Sequence, residues 1–191
     1  MMDIFKILIA SAIIDNVVFI QYLAICPFIG MTSETDKAFG MGVATSFVII
    51  LATAVTWPIY KLVMIPLHLE FLQTLIFILV IASLVQLVEF FLKKMIPALY
   101  KSMGVFLALI TTNCAVLGVT FNCISKNYNY GESLVYALGS AIGFIISMVI
   151  MSGVRSKLKT AKVPQAFQVT PILYIAASLL SLAFLGFKGL I

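Results

Sequence analysis

Six long apolar stretches divide the chain, at roughly residues 4–29, 38–60, 71–92, 98–124, 133–154 and 169–187, with charged residues gathered between them. About 20 helical residues cross a hydrocarbon core, and each stretch is about that long or longer. None shows the period-2 alternation of a barrel strand. Helix is then the conformation that satisfies every backbone N–H and C=O inside lipid. The pattern predicts an all-α polytopic membrane protein, a single transmembrane domain over residues 1–191 with six spans. The first stretch is expected to stay as a span: Lys6 follows Asp3, and no small-x-small cleavage site ends the apolar run.

The chain also resembles itself. Span one contains Cys26-Pro27-Phe28-Ile29-Gly30-Met31-Thr32, and span four contains Cys114-Ala115-Val116-Leu117-Gly118-Val119-Thr120. Both read Cys, any residue, two apolar residues, Gly, apolar, Thr. Span two opens with Gly40 and Ala44, and span five has Gly139 and Gly143, the small-x-x-x-small spacing that lets helix backbones approach. Ala82-Ser83-Leu84-Val85 in span three matches Ala177-Ser178-Leu179-Leu180 in span six. Two copies of three spans, about residues 1–95 and 96–191, must lie upside down relative to one another. That is an inverted-topology repeat with its pseudo-two-fold axis in the membrane plane. Cys26 and Cys114 are equivalent under that axis and are expected to approach one another within the bilayer.

Spans one and four are expected to be broken. Span one holds Asp15, Asn16 and Gln21, then Pro27, whose ring disfavours helix at the preceding residue, Cys26. Span four holds Thr111, Thr112 and Asn113 just before Cys114, then Gly118. Irregular backbone at membrane depth is tolerated where it is buried in protein or lines a cavity.

Composition narrows the possible functions. The chain is 63% hydrophobic and 10% charged, against about 45–50% and about 25% for a soluble domain. This excludes an ordinary soluble enzyme, a disordered chain and a secreted disulfide scaffold. The net charge of +5 comes from scattered Lys and Arg without a basic face, which argues against nucleic acid as a partner. Eight of the 12 cations fall in the first, third and fifth loops. The positive-inside rule then predicts cytoplasmic odd loops and both termini outside. Trp57, Tyr60, Tyr100, Tyr128 and Tyr130 near the span ends suit interfacial anchoring.

Little remains to carry chemistry. His68 is the lone histidine, which leaves no His-based metal site. Four readings stand for Cys26 and Cys114: small buried apolar residues, a disulfide, a redox-active dithiol, or ligands to metal. Among metals, an iron–sulfur cluster fits best, since it takes thiolates and usually four of them. Two cysteines are half a set, and a homologous or identical partner would supply the other half. Cys123 has no counterpart in the first repeat and reads as structural. Asp15, an intramembrane carboxylate, is a candidate ion-coupling residue by default, or else a hydrogen-bonded acid facing the bundle. Gln86 and Glu89 share a helix face, and Glu89 is expected to pair with the Lys93-Lys94 loop. Gln21 and Gln73 are expected to face protein.

The stretches Leu23-Ala24-Ile25-Cys26-Pro27-Phe28-Ile29-Gly30 and Thr111-Thr112-Asn113-Cys114-Ala115-Val116-Leu117-Gly118 resemble a known family. It comprises the A and E subunits of the Rnf complex and the E and D subunits of the sodium-pumping NADH:quinone reductase. The Thr-Thr-Asn-Cys-Ala-Val-Leu-Gly run is most like the A-type Rnf subunits. The resemblance extends to Gly40-Met41-Gly42-Val43-Ala44-Thr45, Phe77-Ile78-Leu79-Val80-Ile81-Ala82 and Ser181-Leu182-Ala183-Phe184-Leu185-Gly186-Phe187, covering essentially the whole chain. It implies six inverted-repeat helices in a bacterial cytoplasmic membrane. It also implies a heterodimer with the homologous E-type subunit of Rnf, and a 2Fe–2S cluster held by two cysteines from each partner, here Cys26 and Cys114. The implied function is single-electron relay across the membrane within a complex that joins ferredoxin to NAD and moves Na⁺ or H⁺. Flavin and iron–sulfur subunits are the further partners. Family members usually carry Asn-Asn where this chain has Asp15-Asn16, so an ion path through that position does not carry over. The rival functions are a secondary ion transporter without metal and a structural subunit for assembly.

Overall fold

The computed structural model describes residues 2–64, 72–95, 113–160, 164 and 170–189. Every regular element among them is helical. Helix α1 (Met2–Ile9) runs into a π-helical turn, Ala10–Ile14, and α2 (Ile25–Met31) follows after an irregular segment. Then come α3 (Thr35–Ile59), α4 (Gln73–Met95), α5 (Cys114–Ser125), α6 (Tyr130–Thr160) and α7 (Thr170–Leu185). The segments of α3, α4 and α6 are long and apolar enough to cross a membrane. The stretches α1 with its π turn, α5 and α7 are apolar but shorter. The protein is a multi-pass membrane protein.

The pairing of α3 with α6 forms the centre, and α5 packs on both. α4 lies against α3 and α5, α1 against α6, and α7 against α6 and the π turn. Small residues set these approaches. A Cβ at Gly143 would meet the Ala12 carbonyl oxygen at 2.6 Å, and one at Gly139 would meet the Leu8 carbonyl oxygen at 2.7 Å and collide with Ser11 Oγ. The expected small-residue stripe of span five is therefore real, and its partner is α1 with the π turn. In α3 the close approach falls on Gly42, where a Cβ would meet Ile145 Cγ1 at 3.3 Å. Ser46 adds a cross-helix bond, its hydroxyl donating to the Ala141 carbonyl at 3.1 Å.

Pro58 lies inside α3, and its missing N–H leaves the Ala54 carbonyl without the usual helical donor. The helix loosens into the π-helical turn Tyr60–Met64 two residues later. The end of α3 and the turn between α5 and α6 share one end of the bundle. There Trp57 Nε1 donates to the Tyr128 carbonyl at 3.0 Å, and Lys61 sits over the indole at 4.7 Å. Leu79, Leu87 and Phe90 on α4 and Leu179 and Leu182 on α7 are exposed, as apolar residues can be where the solvent is lipid.

Candidate functional site

The break in span one occupies residues 15–24 and ends before Cys26. The expectation that Pro27 would remove helix at Cys26 is corrected by its position. Pro27 is the third residue of α2, in the first turn, where its missing N–H has no intrahelical acceptor to lose. The first α2 bond, Phe28 N–H to the Ala24 carbonyl at 3.1 Å, forms beyond it. The chain turns into α2 through two left-handed residues, Tyr22 (φ 54°) and Ala24 (φ 62°). Neither is glycine, so the surroundings must hold them there.

Asn16 organises the start of the break. It is buried, and its Oδ1 accepts from Val18 N–H at 3.0 Å and from the Ser147 hydroxyl at 3.1 Å. Its Nδ2 donates to the carbonyls of Ala12 at 3.2 Å and Gly143 at 3.1 Å. Phe19, also buried, stacks on Phe184 at 4.6 Å and meets Phe28 edge-on at 5.7 Å. The irregular backbone is thus held by α6 on one side and α2 and α7 on the other.

Depth follows from α6, a continuous rod of 31 residues. Asn16 bonds α6 at Gly143 and Ser147, each about 20 Å from the nearer helix end at 1.5 Å per residue. The break therefore lies level with the middle of α6. Arg155 Nη1 donates to the Ile29 carbonyl at 2.7 Å and reaches Thr32 Oγ1 at 3.4 Å, and Lys159 donates to the Ser33 carbonyl at 3.0 Å. Cations on α6 so satisfy carbonyls at the C-terminal end of α2, where the helix dipole favours positive charge.

Cys114 opens α5. Asn113 is extended, caps the helix through Oδ1, and accepts from Ala115 N–H at 3.0 Å. Cys123 Sγ lies 3.7 Å from the Ser133 carbonyl, and Asn122 Nδ2 lies 3.5 Å from the Tyr136 hydroxyl, which sets an antiparallel register between α5 and α6. Extending that register puts Cys114 about level with Gly143, the depth of the span-one break. Residues 98–112 before it, Thr111 and Thr112 included, lie outside the described residues.

The segment entering α2 lies against α5. Gln21 Oε1 accepts from Asn122 Nδ2 at 3.0 Å, and a Cβ at Gly118 would meet Leu23 Cδ2 at 2.8 Å. Leu23 is three residues before Cys26, and Gly118 is one turn after Cys114. Both cysteines sit in first turns, where peptide N–H groups lack intrahelical acceptors, and both are exposed on the chain's own surface. Cys123 is buried. All three thiols are free, and among the described residues no group of three or more His, Cys, Asp or Glu converges.

Asp15 ends the π turn and pairs with Lys126 at 2.6 Å. The ammonium also lies over the Tyr136 ring at 4.9 Å and near that of Tyr128 at 6.0 Å. Partial burial pulls Lys126 towards neutrality, but its bond to Asp15 and the surrounding acidic groups outweigh this and hold its pKa above the ordinary lysine value. The carboxylate is engaged by Lys126, which follows α5 in the turn before α6. Gln86, Glu89, Phe90 and Lys93 line one surface cavity on α4. Sequence reasoning missed the parts played by Asn16, Asn113 and Arg155. The signal for Asn113 was its residue type directly before an apolar helix.

The family described as "Rnf-Nqr subunit, membrane protein" matches residues 4–191. The A-type member of the ion-translocating oxidoreductase complex of Syntrophotalea carbinolica is 47% identical over 191 residues, covering 100% of this chain and 99% of that one. Its namesake in Cereibacter sphaeroides is 46% identical over 98% of this chain and 97% of its own. The A-type member of the Na(+)-translocating ferredoxin:NAD(+) oxidoreductase complex of Acetobacterium woodii is 45% identical, covering 99% of this chain and 98% of that one. A profile match over nearly the whole chain and full-length likeness to these subunits lead to one assignment: the chain belongs to the Rnf-Nqr family of membrane subunits.

Proposed function

We propose that this chain is the A-type subunit of an ion-translocating ferredoxin:NAD oxidoreductase complex, and that Cys26 and Cys114 supply half the ligands of a 2Fe–2S cluster shared with a homologous subunit. The observation that carries the reading is the contrast among the three thiols. The two that match in the repeat lie in first turns of short helices on adjoining segments, and both face outward; the third is buried in the fold. Outward thiols suit a centre completed by another chain, since two ligands are half of the usual thiolate set. First-turn N–H groups not already taken by Ala24 or Asn113 can donate to sulfur and favour thiolate.

The cluster, when bound, supplies one-electron storage at mid-membrane. The chain's residues hold and shield that position. Asn113 starts α5 at Cys114, Arg155 and Lys159 fasten the far end of α2, and Asn16 fixes the break between the half-spans. The six-span inverted repeat, with both termini outside a bacterial cytoplasmic membrane, belongs to the same proposal. It is supported by the broken first span and by the helix start at Cys114. Na⁺ or H⁺ is the ion moved by the complex.

The test uses the assembled complex, purified anaerobically. Iron and acid-labile sulfide should fall, and the corresponding EPR signal should vanish, in Cys26→Ser and in Cys114→Ser. Cys123→Ser should keep all three. A signal surviving either of the first two substitutions overturns the ligand assignment.

A further inference from the structure

Asn113 carries an unanswered donor. The residue is 5% exposed, and its Nδ2 finds no hydrogen-bond partner among the described residues. Its Oδ1 is committed to Ala115 N–H at 3.0 Å. That bond settles which way the carboxamide faces, because a flipped amide would set two donors against each other. The planar group therefore holds Nδ2 at the start of α5, on the residue that directly precedes Cys114 in the chain, with no described acceptor in reach. Among the described residues, the three other buried side-chain polar atoms without partners are hydroxyls, Thr45 Oγ1, Ser133 Oγ and Ser140 Oγ, whose hydrogens rotate freely. The Asn113 amide has no such freedom. A buried donor left without an acceptor calls for an explanation.

We infer that the acceptor is a sulfur of the iron–sulfur centre, either the Cys114 thiolate or a sulfide bonded to the same iron. Asn113 then has two tasks: Oδ1 starts the helix that presents Cys114, and Nδ2 donates to sulfur. Donation to sulfur stabilises the more negative, reduced form, so Asn113 raises the reduction potential. It is a positioning and tuning residue rather than a ligand. The inference rests on the reading of Cys26 and Cys114 as ligands, and the experiment separates the two.

In the assembled complex, Asn113→Asp and Asn113→Ser both keep a capping oxygen at the helix mouth and withdraw the amide donor. Iron content should match the unsubstituted complex in both. An EPR-monitored redox titration should show a lower midpoint potential. For Asn113→Ser the expected change is about a tenfold drop in the equilibrium constant for reduction, which is 59 mV for one electron. Asn113→Asp, which adds negative charge, should drop further. Unchanged potentials with iron retained overturn the role of Asn113 and leave the cysteine assignment standing. A reduced yield of assembled complex whose centre keeps its normal potential would place the acceptor on a partner chain and also overturn it. Iron content and an EPR signal undiminished by Cys26→Ser or Cys114→Ser remove the reading beneath it. Where neither Asn113 variant assembles, the unsubstituted complex is grown with asparagine carrying ¹⁵N in the side-chain amide. A ¹⁵N coupling to the reduced centre is then expected in pulsed EPR, and its absence refutes the inference.

Discussion

At the scale of single residues, the best evidence that the helices are tightly fitted comes from two glycines, Gly139 and Gly143. Gly143 faces backbone, not a flexible side-chain end, so an added methyl has no easy escape. Gly143→Ala should therefore cost at least the about 1–3 kcal/mol typical of overpacking. Thermal unfolding in detergent would check this. Gly153→Ala is the control: nothing lies within 4 Å of its would-be Cβ, and a smaller backbone entropy cost should make it neutral or slightly stabilising. Asp15 behaves differently. Its pair with Lys126 is partly exposed at both ends, so Asp15→Asn should lower stability by less than about 1 kcal/mol. Ion transport by the complex, measured in proteoliposomes, should persist. Transport lost with iron retained would mean that this carboxylate carries the ion. Glycine spacing was readable in the sequence because small residues at four-residue intervals have one physical use in lipid. The engagement of Asp15 was not, because Lys126 lies 111 positions away.

At the scale of elements, the break in span one was readable and its limits were not. Asp15, Asn16 and Gln21 announced it, since polar side chains in an apolar run must find partners. Pro27 pointed to the wrong end, because a proline that interrupts a helix and one that sits in a first turn look alike in sequence. Tyr22 and Ala24 gave no sign, as neither residue type favours positive φ. The cation at the end of α2 was read as a topology signal, and it proves to be an anchor as well. Arg155→Gln should remove a charge-assisted bond to the Ile29 carbonyl and loosen α2, at a cost of about 1.5–3 kcal/mol. Faster alkylation of Cys26 by a lipid-permeant maleimide, with Cys123 unchanged, would show the loosening. Equal rates in the variant and the parent would show that α2 does not depend on Arg155.

At the scale of the molecule, the sequence already required helices and a membrane, because 63% apolar composition leaves no other way to satisfy the backbone. Helices α3, α4, α6 and α7 fall within about six residues of the expected spans, α6 extending furthest beyond its stretch, while the first half of span four lies outside the described residues. What periodicity could not supply was depth. That came from α6, which bonds Asn16 through Gly143 and Ser147 and the Ile29 and Ser33 carbonyls through Arg155 and Lys159, aligning the first span against one continuous helix. The likeness of the Cys26 and Cys114 motifs was readable from the sequence. Their outward exposure was not, because a thiol looks the same in sequence whether it packs inward or faces a neighbour.

One consequence of α6 concerns motion. It acts as a splint across a fracture: the upstream shore of the gap is tied at Gly143 and Ser147, the downstream shore at Arg155 and Lys159. The two pieces of the first span cannot swing apart like a door while both ties hold. Any local yielding must be taken up by the few residues strung between them, a flexure rather than a hinge.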